Sequence, residues 1–146
     1  MLLGLVAYGL RRYVEPQQLT PDGRIYLAAR QARPPRPYCL RWLLPALMGE
    51  RDWRWLTGAA LVLTCPALAW FLDLRGCADW QQLVGVGLWC GLNGVWRLPA
   101  IYPVLTDAPA MLLALTAADL ALAGHGLAAL ACAVVAGACH EKAPIF

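Results

Sequence analysis

Three acidic loops hold the side chains of this chain that could do chemistry. Asp22 stands in "LTPDGRIYLAAR", Asp107 in "IYPVLTDAPAMLLALTAADL" and Glu141-Lys142 in "ACHEKAPIF". Arg24 and Lys142 adjoin these acids in the sequence and Arg41 and Arg97 lie in the segments leading to or from them, and a guanidinium fork suits phosphate oxygens better than an ammonium does. Carboxylates among such cations form a constellation able to deprotonate a hydroxyl acceptor while an anionic lipid phosphate is held nearby. A plainer reading stands beside each. Thr20, Pro21 and Asp22 spell a helix start, and Thr106 or Asp107 with Pro109 spells another. Caps are far commoner than catalytic acids, which favours the plain reading of Asp107. Glu141-Lys142 reads equally as a solvated pair, and the arginines as headgroup contacts.

The medium around these loops follows from composition. Of 146 residues, 60% are apolar and 14% charged, against about 45–50% and about 25% in soluble domains. An integral membrane protein of the all-α class is expected. The net charge of +3 is too small, and its basic residues too local, for nucleic acid. Eleven of the twelve basic residues are Arg. The six cysteines show no C-x-x-C pair and no zinc spacing, so neither a disulfide framework nor a metal site is expected. Cys65, Cys90 and Cys132 lie in apolar runs and read as small hydrophobes. Cys139-His140-Glu141 are adjacent and do not converge on one metal from a helix.

The elements that must position the acids are helical. Residues 1–10 are apolar, lack a basic leader and run into Arg11-Arg12, so they read as a partial first span rather than a signal peptide. Residues 11–54 hold nine Arg and four acids. Their apolar spacing fits two short amphipathic helices at a membrane surface, separated by "ARPPRP". Spans are expected over 56–72, 83–96, 108–123 and 127–138. Trp53, Trp55 and Trp70 would form an aromatic belt at the ends of the first of these. "DLRGCADWQQ" is a tight polar turn. Gly87 and Gly91 offer a face for close approach of a partner helix, and Asn93 needs a hydrogen-bond partner. "GHG" makes the last two spans a hairpin with His125 solvated at its tip, and Asp119 is expected to snorkel to the nearer interface. The fold expected is a multi-pass transmembrane helical bundle in a single domain, 1–146. Counting crossings puts Asp22, Asp107 and the His140-Glu141-Lys142 loop on one side of the membrane.

The order "PDGRIYLAAR", "RPYCLRWLLPAL", two spans, "YPVLTDAPAMLLAL" and a hairpin ending "ACHEKAPIF" resembles the N-terminal part of bacterial GT-C fold glycosyltransferases, the mannosyltransferase-like enzymes that use polyprenyl-phosphate sugars. The resemblance implies a catalytic Asp22 in the first extracytoplasmic loop and a functional Asp107 in a second acidic loop. It also implies a charged pair after the fifth span, reversed here as Glu141-Lys142. Substrate contacts would come from Arg24, Arg41, Arg97, Glu141 and Lys142. No cofactor is implied beyond the lipid-linked donor, with a divalent metal left open, and the partners are membrane lipid and polyprenyl-phosphate sugar. A bacterial inner membrane location follows. Such enzymes run to several hundred residues, so an N-terminal piece of one is expected. The positive-inside rule puts the Arg-rich loop in the cytoplasm, whereas the resemblance puts it outside; phosphate-binding arginines favour the latter. The rival expectations are a non-enzymatic scaffold subunit whose Gly-rich helices bind other helices, and a transporter fragment lined by Asp119 and Asn93.

Overall fold

The structure, a computed structural model, describes residues 24–25, 43–47, 50–92, 102 and 106–140. Within them the fold is all-α: a short helix α1 (Leu43–Leu47), then α2 (Glu50–Leu74), α3 (Asp79–Gly91), α4 (Asp107–Leu122) and α5 (Gly126–Cys139). The partial span over 1–10, most of the 11–42 loop, Asn93 and residues 141–146 lie outside the described residues.

Helix α2 has 25 residues, a rise of about 37 Å against a hydrocarbon core of about 30 Å. Its Trp55–Leu74 stretch is long and apolar enough to cross a membrane, and only 33% of its most apolar window is buried inside the protein. Pro66 takes one amide out of the ladder in mid-helix. In the turn before it, the Thr64 hydroxyl donates back to the Ala60 carbonyl at 2.7 Å.

The remaining expected spans are shorter than a bilayer core. Helices α3, α4 and α5 have 13, 16 and 14 residues, rises of about 20, 24 and 21 Å. Among the described residues, α2 is the one helix of membrane-crossing length. Helix α3 also starts four residues before the expected span. Asp79 suits a first turn, and the Gln81 side chain accepts the Ala78 amide at 2.8 Å, so the helix reaches back into the polar turn.

Both inter-helix turns close the same way. After α2, the Cys77 amide donates to the Leu72 carbonyl at 2.9 Å and the Gly76 amide to Asp73 at 2.8 Å. After α4, the His125 amide donates to Leu120 at 2.8 Å and the Gly124 amide to Ala121 at 3.1 Å. These are Schellman closures, which need a left-handed residue, and Gly76 (φ 76°) and Gly124 (φ 84°) supply it. The "GHG" segment is thus a hairpin turn with His125 exposed at the tip, as its sequence predicts.

Packing separates two buried clusters. One joins Ala60, Leu61, Cys65, Val86, Cys90 and Ala108. The other gathers Leu44 of α1, Trp53 of α2, Ala110 of α4, and Ala136 and Cys139 of α5. The start of α2, the start of α4 and the end of α5 therefore meet at one end of the bundle.

Two expectations change here. Trp53 is not part of an interfacial belt; it is fully buried and anchors the second cluster, whereas Trp55 and Trp70 are exposed. Residues 50–54 are not loop but the first turns of α2. Gly91 meets no other described residue, which leaves its face open, and a close contact within the chain occurs at Gly85, where an added Cβ would stand 2.7 Å from the Leu72 Cδ1 atom.

Candidate functional site

The end at which α4 begins and α5 finishes carries the acidic residue of the second loop. Thr106 occupies the N-cap position of α4, yet its hydroxyl makes no capping bond; its carbonyl accepts the Ala110 amide at 3.1 Å. Asp107 is the first helical residue and Pro109 lies in the first turn, where a missing amide costs nothing. The capping role read for Thr106 or Asp107 is therefore not made by either side chain.

Asp107 instead faces His140. The imidazole Nε2 lies 3.3 Å from the Asp107 Oδ1, with the His140 side chain 10% and the Asp107 side chain 52% exposed. His140 is the C-cap of α5, in extended conformation, and its amide donates to Ala136 at 2.8 Å. A carboxylate at a helix N-terminus and an imidazole at a helix C-terminus each complement the local dipole. Antiparallel packing of α4 and α5 is what sets the two side by side. Ala110 and Ala136, both buried, lie in the same cluster and keep the two helices close at this end.

Two further polar groups lie in or near this frame. The Thr106 Oγ1 atom is buried with no hydrogen-bond partner among the described residues. So are both carboxylate oxygens of Asp119, almost at the far end of α4, which is fully buried. Asp119 does not snorkel. Its side chain turns into the protein, because it lies eleven positions, about three turns, after the buried Ala108 and so on the same packed side of α4.

Of the site residues read from the sequence, Asp107 and Arg24 are described. Arg24 is helical and exposed. Asp22, Arg41, Arg97, Glu141 and Lys142 lie outside the described residues. Among the described residues no group of three or more His, Cys, Asp and Glu side chains is placed to hold one metal ion. The crossing count puts Asp107 and His140 on one side, and the structure pairs the two side chains. The signal was the hairpin: two helices of similar length, out and back, return the chain to where it started.

The chain matches no family model, no curated protein and no solved structure.

Proposed function

We propose that this chain is a membrane-embedded transferase module whose working end is the Asp107–His140 pair. The pair carries the reading: a half-exposed carboxylate held 3.3 Å from a mostly buried imidazole, with the Thr106 hydroxyl, which has no partner among the described residues, next in sequence. A carboxylate fixes the orientation of an imidazole, and the two together can hold a bound hydroxyl in place by hydrogen bonds. The exposed Leu63, Leu88, Leu127, Leu130 and Val134 side chains support a lipid surround. In this reading α2 spans the bilayer and the shorter helices cross it with little tilt and local thinning, giving a multi-pass bundle in a bacterial inner membrane.

The reaction proposed is glycosyl transfer from a polyprenyl-phosphate sugar, and the choice of sugar chemistry rests on the sequence resemblance. The acceptor O–H bond breaks, its oxygen attacks the anomeric carbon, and the lipid phosphate leaves. Asp22 takes the proton, Asp107 with His140 positions the acceptor, and Arg24 or Arg41 receives the phosphate. The test is transfer from a radiolabelled polyprenyl-phosphate sugar in vesicles carrying the chain, or a longer protein that contains it. Asp22→Asn and Asp107→Asn should each cut transfer at least tenfold with unchanged membrane insertion. Wild-type transfer by both variants overturns the assignment.

A scaffold role is the second reading, favoured by the open face at Gly91 and the exposed apolar side of α5. It predicts no transfer by the wild-type protein and loss of a partner complex on Gly91→Leu.

A further inference from the structure

The two cysteines at the centre of the first buried cluster lie against each other. The Sγ atoms of Cys65 on α2 and Cys90 on α3 are 3.7 Å apart, and the residues stand 25 positions apart in the chain. Both are free thiols and both are buried. Cys77, Cys132 and Cys139 are also free, and among the described residues Cys65 and Cys90 are the cysteines whose sulfurs meet. A metal is a poor occupant, since structural thiolate sites need about four ligands and this pair offers two. Along this seam α2 and α3 meet side chain against backbone, the Leu72 Cδ1 atom lying over Gly85. A disulfide brings the two sulfurs from this contact to about 2.05 Å.

We propose that Cys65 and Cys90 are an oxidisable pair, forming a reversible disulfide that locks the last turn of α3 to the middle of α2. The oxidant is a peroxide, either hydrogen peroxide or a lipid hydroperoxide, both of which enter an apolar medium. One sulfur attacks the peroxide oxygen; the O–O bond breaks, giving a sulfenic acid and releasing water or the lipid alcohol. The second sulfur then displaces hydroxide from the first, and the S–S bond forms as a water leaves. Two thiols lose two electrons and the peroxide gains them. The lock acts at the point where the chain leaves α3, so it decides whether the end of that helix can peel from α2. It is independent of the transferase reading.

The test uses vesicle-embedded protein treated with hydrogen peroxide, then denatured, alkylated with N-ethylmaleimide, digested and read by mass spectrometry. The expected product is one linked peptide pair containing Cys65 and Cys90, lighter by two hydrogens than its reduced parts and released by dithiothreitol. The oxidised protein should unfold at a higher temperature than the reduced one. Oxidation of Met111, which is partly exposed, reports that the reagent reached the protein. A variant carrying Cys39→Ser, Cys77→Ser and Cys132→Ser removes three of the four other thiols without touching the pair. Recovery of Cys65 and Cys90 as free thiols from either protein, with Met111 converted to sulfoxide, overturns the proposal. So does separate oxidation of the two cysteines to sulfinic acids.

Discussion

Asp107 and Asp119 are carboxylates of one helix in opposite circumstances. Asp107 is half exposed and its contact with His140 is screened, so the pair adds at most about 1 kcal/mol to stability. Asp107→Asn should therefore leave unfolding within about 1 kcal/mol of wild type, and its effect should appear in transfer rather than in folding. A fall in stability well beyond that value would make the pair structural. Asp119 is buried with both oxygens unpartnered among the described residues, and a desolvated polar group of that kind costs about 1–3 kcal/mol. Removing it removes the cost. Asp119→Ala should leave the thermal unfolding midpoint unchanged or raise it, despite the smaller side chain. A clear drop would show that the carboxyl satisfies a group in the folded protein.

At the scale of elements, the two hairpin turns rest on single glycines. Gly76 and Gly124 have positive φ, where a Cβ is strained whatever the surrounding space. Gly76→Ala and Gly124→Ala should each cost about 1 kcal/mol, while Gly126→Ala, in open space and without positive φ, should be neutral or better. Equal effects at all three positions would contradict the Schellman closures. The turn residues were legible in "DLRGCADW" and "AGHG" because a glycine after an apolar helical run has few other uses. The start of α3 was less legible, since Asp79 and Trp80 read as turn until the Gln81 side chain is seen to hold the Ala78 amide.

For the whole molecule, side-chain size is arranged inside out. Its buried seams are built largely from Ala60, Ala108, Ala110, Ala129, Ala136, Cys65 and Cys90, while Leu88, Leu127, Leu130 and Val134 face outward. Small residues let helices approach, and large apolar ones meet the surrounding medium, as expected in lipid. Trp53 is the biggest of the large buried side chains, with Leu44, Leu61 and Val86, and Trp53→Ala should cost about 3–5 kcal/mol by opening a cavity where four helices meet. A loss below 1 kcal/mol would remove it from the core. Topology is testable with an impermeant thiol reagent on intact cells. In single-cysteine variants, Cys77 in the α2–α3 turn and a cysteine placed at Asp107 should label from opposite sides. Labelling of both from one side would sink the membrane-spanning arrangement.

Composition and pattern alone determined the helical class, the apolar exterior, the hairpin at His125 and the placement of Asp107 at a helix start, because these depend on local propensity and on periodicity. Tertiary structure decided what those local rules leave free. Trp53 could sit at an interface or in a core, and only the meeting of α1, α2, α4 and α5 buries it. Asp107 could cap its own helix, and only the return of α5 gives it His140. Cys65 and Cys90 look like two isolated small hydrophobes until α2 and α3 are packed. In each case the deciding partner lies on another helix, and contacts between helices depend on crossing geometry that no single segment encodes.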